Sequence, residues 1–198
     1  MATLSDVKLQ IAGIGHVYTA PVDTAPIDRT QFVFGDESTH TGWTWLGDTS
    51  AENLIEFETD GGDITQKRTW DRLNVRAIRE AQSVTGTINS VNVSGESLQF
   101  AFPGGTYDVA AGSYAVKSGG TRSVAVMVII EDAGQAAGMY LPNVDVKGSF
   151  PTLSLEEFTE FPLSLAILSS PTTQVEWQWF EPRNYVGGGT AESTSPTP

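Results

Sequence analysis

The sequence predicts a mainly β domain carrying one short α-helix, and three observations lead there. Leu54 to Asp60 alternates, with Ile55, Phe57 and Thr59 on one face and Leu54, Glu56, Glu58 and Asp60 on the other. That is the period-2 signature of a half-buried strand. The second half of the chain is a succession of apolar, β-branched runs separated by Gly, Asp and Pro turns. One short stretch, Ser94 to Phe102, has helix signals: Ser94 stands where an N-cap is wanted, and Pro103-Gly104-Gly105 stops it.

Composition narrows the function classes. The chain has 198 residues, 24 acidic against 11 basic, for a net charge of −13. Such a balance argues against binding nucleic acid through phosphate neutralisation, although repulsion of DNA is itself useful to some proteins. With no cysteine, disulfides, thiol nucleophiles, zinc–thiolate sites and iron–sulfur clusters are excluded. Met1 to Gln10 has no basic start, and no apolar stretch approaches the roughly 18 residues of a membrane span. The expectation is a chain made in the cytosol that stays soluble or assembles, with no membrane partner.

Taken in order, Val7 to Val17 predicts a first strand interrupted by Gly13 and Gly15, with His16 at a strand position rather than as a ligand. Pro21 to Gly42 reads as a long connection. Its Ile27, Phe32, Val33 and Phe34 suit an arm ordered by a partner better than a disordered segment. Gly42 to Trp70 follows, rich in Trp and Gly. Within it, Gly61-Gly62 suits a two-residue hairpin turn because both positions tolerate φ > 0. A turn there pairs Asp60 with Asp63, Glu58 with Thr65 and Glu56 with Lys67. The result is an acidic face opposite an apolar one carrying Ile55, Phe57, Ile64 and Trp70.

Val75 to Val93 predicts a long strand. After the helix, Ser113 to Lys117 is a short strand, and Arg122 to Glu131 is apolar on both sides and therefore central. Gly138 to Val146 is broken at Pro142, predicting an edge or a bulge. Glu156 to Leu168 contains a strand starting at Pro162, and Thr173 to Phe180 is the last. The domain is expected to span 1–182, with 21–50 as an extended arm and 183–198 as a Gly/Ser/Thr/Pro-rich tail.

No enzyme site assembles: there is no Gly-x-Ser-x-Gly, no Walker-type loop and no His-Glu-x-x-His, and His16 and His40 are the only histidines. The acidic pairs Asp36-Glu37, Glu131-Asp132 and Glu156-Glu157 suit solvated turns and strand ends better than acid–base chemistry. No metal or cofactor is called for. The charge order says more. Glu52, Glu56, Glu58, Asp60 and Asp63 precede Lys67, Arg68, Arg72, Arg76 and Arg79. These two groups either pair across strands within the chain or join the acidic arm of one copy to the basic arm of the next. The latter is a head-to-tail contact, which closes rings if the rotation closes.

Gly42-Trp43-Thr44-Trp45-Leu46-Gly47-Asp48-Thr49-Ser50, Leu54-Ile55-Glu56-Phe57-Glu58, Gly61-Gly62 and Thr69-Trp70 together resemble the major tail tube proteins of long-tailed (siphovirus-type) actinobacteriophages. Met139 to Val146 and Leu155 to Phe161 extend the resemblance, which covers roughly residues 7 to 181 in order. It implies a β-sandwich or half-barrel with one short helix, a long β-hairpin and an extended inter-ring loop. It also implies a virion protein that self-assembles into stacked hexameric rings, through which DNA passes without specific binding. The implied partners are further copies of itself, the tape measure protein in the lumen, and the tail terminator and distal tail proteins. Glu56, Glu58, Asp60 and Asp63 are then expected to face the lumen. Trp43, Trp45, Leu46, Lys67, Arg68, Arg72, Arg76 and Arg79 are expected at contacts between subunits or rings, with ordinary core packing as the alternative for the two tryptophans. The competing reading is a monomeric β-sandwich that binds carbohydrate or protein, with Trp43, Trp45, Trp177 or Trp179 as stacking platforms.

Overall fold

The computed structural model describes residues 13–33, 40–67, 70–71, 76–117, 119–132, 134–151, 153–155 and 158–185. Its strands are β1 (Ile14–Ala20), β2 (Thr44–Trp45), β3 (Glu56–Gly61), β4 (Ile64–Lys67), β5 (Arg76–Arg79), β6 (Gln82–Ser90), β7 (Thr106–Asp108), β8 (Ser113–Ala115), β9 (Arg122–Asp132), β10 (Gln135–Gly148), β11 (Phe161–Leu168) and β12 (Gln178–Asn184), with helix α1 (Gly95–Ala101) between β6 and β7. The main sheet runs β2-β1-β9-β10-β11-β6-β3, β12 also pairs β10, and every pairing is antiparallel. The sheet does not close into a barrel. The fold is the mainly β, one-helix architecture expected, and among the described residues no helix is long and apolar enough to cross a membrane.

The doubly apolar run Val124 to Ile130 is central, as its pattern predicts. Val124, Val126 and Val128 face one cluster with Val17, Ile88, Leu141, Val144, Val146, Leu163 and Leu165. Ala125, Met127 and Ile129 face a second with Tyr18, Phe32, Trp43 and Tyr140. Helix α1 contributes Ala101 to the first cluster. Its N-cap is the predicted Ser94, whose hydroxyl accepts from the Ser97 N–H at 3.1 Å.

Pro142 marks a bulge but not an edge. Pairing steps from Leu141↔Val126 to Val144↔Val124, so Pro142 and Asn143 oppose one residue of β9. With β9 along one side of β10, the other side pairs β12 over Gln135–Tyr140 and β11 over Asn143–Gly148. The bend lets one strand serve three neighbours, which a local breaker signal does not reveal. Two boundaries also move. β1 continues past Val17 to Ala20, with residues 1–12 outside the described part, and β12 lies later than the Thr173–Phe180 expectation, with Glu181 and Pro182 bulged against Ala137.

The connection 21–46 packs on its own sheet where it is described. Phe32 stacks on His40, with centroids 4.6 Å apart and planes 6° apart, and Tyr18 meets both edge-on. The Trp43 indole N–H donates to the Ala25 carbonyl at 3.0 Å, and the Tyr140 hydroxyl donates to the Thr24 carbonyl at 2.7 Å. These aromatic groups bury one face of β1, β9 and β10, and burial of large rings dominates such a core. The chain reaches Tyr185, which is buried, as part of this domain; residues 186–198 lie outside the described part.

Candidate functional site

The hairpin is longer than the sequence expectation and turns elsewhere. Glu56–Gly61 pairs Gln82–Thr87, and Ile64–Lys67 pairs Arg76–Arg79 in the same register, linked by a Glu80 N–H to Asp63 carbonyl bond of 3.0 Å. Residues 56–67 therefore run against 76–87 as one arm, and the chain reverses between Lys67 and Arg76. Gly61 and Gly62 do adopt positive φ, 79° and 81°. They use it to kink a continuing strand rather than to end one. The expected cross-turn pairs are corrected accordingly: Glu56 opposes Thr87 instead of Lys67, Glu58 opposes Thr85 instead of Thr65, Asp60 opposes Ser83 instead of Asp63, and Asp63 opposes Glu80.

The predicted segregation of faces survives on β3, because alternation does not depend on where the turn falls. Glu56, Glu58 and Asp60 share a face and are all exposed. Register extends this face across the sheet: Glu56, Thr87, Ser164 and Lys147 form one row, and Glu58, Thr85, Ala166 and Asp145 the next. Neighbouring strands lie about 4.8 Å apart, so Lys147 at the end of its row is on the order of 14 Å from Glu56. The reverse face carries Phe57, Ile88, Leu163, Leu165 and Val146 against the core. The result is a polar, acid-rich sheet surface backed by a rigid apolar layer. Ser83, Thr85, Thr87, Ser164, Asp145 and Lys147 on that surface were missed from sequence; their period-2 alternation was the available signal.

Beyond Gly61-Gly62 the arm stands clear of the body. Every residue of β4 and β5 is exposed, including Ile64 and Ile78, and Trp70 near the tip is fully exposed. Lys67 lies directly opposite Arg76, and Arg79 opposes Ile64. The arm is thus acidic near the body and basic toward the tip. Arg68 and Arg72 fall outside the described residues.

The remaining expected contact residues separate. Trp43 and Leu46 are core residues of their own subunit, 8% and 7% exposed, so neither offers a ring for stacking or a surface for a neighbour. Trp45 is half-buried on β2. Trp177 and Trp179 are exposed on the approach to and start of β12. Trp179 borders an apolar groove of about 580 Å³ between β1, β9, β10 and β12 on one side and residues 47–57 on the other. Ile55, Phe57, Ile130 and Met139 line it. His16 sits on its β1 wall, its pKa lowered by burial against the raising influence of Glu131 and Asp48. At the far end of β9, Glu131 accepts a hydrogen bond from the Tyr185 hydroxyl. Burial first, and that bond second, push the phenol up to about 12.

An open antiparallel sheet, an acid-rich face, a bipolar protruding arm and, among the described residues, an apolar groove are features of a subunit that assembles with others. The profile of the phage tail tube protein family matches residues 1–187, and this chain belongs to that family. It is a structural component of the phage virion tail. The chain is also similar to the curated "Major tail protein Gp23" of Mycobacterium phage D29, 29% identical over 149 residues that cover 72% of this chain and 75% of the relative. The protein of the same name from Mycobacterium phage L5 is 27% identical over the same shares.

Proposed function

We propose that copies of this chain form stacked hexameric rings whose acid-rich sheet face lines the lumen of the tail tube, the conduit for DNA ejection. The observation that carries the reading is the row of Glu56, Glu58 and Asp60 beside Ser83, Thr85 and Thr87 on one exposed sheet face. Carboxylates repel phosphate, so DNA slides past; a basic lining neutralises phosphates and holds the polymer. Asp63, on the kinked part of the same arm, adds to the field. The backing core keeps these charges fixed while the duplex moves.

The basic half of the arm, Lys67, Arg76 and Arg79 with Arg68 and Arg72, makes contacts between copies, and half-buried Trp45 borders them. The role is structural and needs no cofactor. The tape measure protein fills the lumen before ejection, and tail terminator and distal tail proteins close the two ends. DNA passes without specific binding.

The test is a phage carrying Glu58→Lys with Asp60→Lys. Both side chains are exposed, so tubes of normal length are expected by electron microscopy, with DNA ejection slowed or incomplete. Tubes that eject DNA at the normal rate with this reversed charge exclude the electrostatic role of the face.

A further inference from the structure

The distal half of the hairpin is a structure in need of a partner. β4 and β5 form a two-stranded ribbon of their own, exposed on both faces. Such a ribbon is marginal by itself in water. It holds Lys67 directly against Arg76, and like charges opposite each other destabilise a strand pair. It also presents Ile64, Ile78 and the fully exposed Trp70. Anionic and apolar contacts together are what would satisfy it.

The groove beside Trp179 supplies both. Its walls are Ile55, Phe57, Ile130 and Met139, and it is about 580 Å³ in volume. Among the described residues lining it there is no Lys or Arg, while Asp48 is present, and the Glu131 charge acts together with that of Asp48 on His16 in the groove wall. The ribbon does not fill its own subunit's groove. Phe57 is in the groove wall, and ten residues of strand carry Lys67 roughly 33 Å away along the arm.

We infer that the basic ribbon of one copy seats in the apolar groove of a neighbouring copy, with Trp70 as the buried anchor and Lys67 and Arg76 against the acidic lip. This rests on the tube reading above and adds a named peg and socket to it. Another exposed apolar group, Phe150, Leu153, Leu155 and Phe158, is a weaker occupant, because its neighbouring charges, Glu156, Glu157 and Glu160, repeat the sign of Asp48. An anchor tryptophan entering a pocket is the usual centre of a tight interface.

The chain has no cysteine, so introduced thiols report without background. Assembled protein carrying Trp70→Cys and Leu54→Cys is treated with a short bis-maleimide and run on a denaturing gel. A ladder of covalent oligomers is expected from the double variant and none from either single variant. Ile78→Cys with Leu54→Cys repeats the test with Trp70 retained. Trp70→Ala is expected to leave the subunit folded and to raise the concentration needed for assembly roughly tenfold or more. Tubes that form without a ladder in either pair, a ladder from Leu155→Cys with Leu54→Cys instead, or unchanged assembly of Trp70→Ala overturns the inference alone. A wild-type chain that stays monomeric overturns the tube reading and the docking with it.

Discussion

Replacing Gly61 by alanine separates the arm's mechanics from the stability of the body. Gly61 has φ 79°, and a left-handed backbone costs an L side chain about 1–2 kcal/mol. A Cβ built there lies 2.5 Å from the Ala81 carbonyl oxygen, a backbone atom of the paired strand. Relief of that overlap requires the strands to part, adding roughly 1–3 kcal/mol on the scale of overpacking. The sum, about 2–5 kcal/mol, exceeds what a two-stranded ribbon exposed on both faces holds. The ribbon therefore detaches while the sheet and both core clusters remain. Spread over the whole domain the same penalty lowers the melting temperature by roughly 4–20 °C, at 2–4 °C per kcal/mol for a chain of this size. Confined to the arm, it lowers it by less than about 3 °C. The expected result for Gly61→Ala is a near-normal thermal melt by circular dichroism, fast amide exchange across Ile64–Lys67, and loss of tubes in the electron microscope. A large drop in melting temperature shows that arm and body unfold as one, and normal tubes show that the kink is dispensable; either outcome refutes the argument.

Phe32→Ala tests whether the connection 21–46 is a cover over the sheet. Phe32 is fully buried between Tyr18 and His40, so the cost is about 3–5 kcal/mol, read as a lower urea midpoint; a loss below about 1 kcal/mol means that the connection does not hold the second cluster together. His16 gives a pH signature. Its pKa is lowered in the folded chain by burial, so between that value and the unfolded value near 6.5 the unfolded chain binds more protons. The contribution is full above about pH 6.5 and is lost as pH falls toward the folded pKa. Urea midpoints compared at pH 7.5 and pH 5.5 should fall further in the wild type than in His16→Gln, and equal falls contradict the assignment.

What was legible in the sequence was whatever a single element decides. β9 announces its central place because both of its faces are apolar, and α1 announces its ends through Ser94 and Pro103-Gly104-Gly105. The acid face of β3 follows from alternation alone. The hairpin turn was not legible, because a Gly-Gly pair with positive φ serves a kink as well as a reversal, and only pairing with residues 76–87 distinguishes them. Pro142 signalled a bulge, yet the number of strands around β10 depends on residues far along the chain. Trp43 looked equally suited to an interface and a core, since an aromatic ring suits both; its bond to the Ala25 carbonyl resolves it within the subunit. The groove was invisible for the same reason, its walls coming from five separate stretches of chain.

β10 has a consequence beyond packing. Every strand ladder that connects the hairpin to β12 passes along it. A push on the arm therefore reaches the far end of the subunit as shear along one antiparallel ladder, loaded from both sides. That strand skips a rung against β9 at Pro142 and Asn143, between its β12-paired and β11-paired segments, so fewer bonds resist the shear there. In the tube proposed above, bending is then expected to be taken up at the same place in each copy.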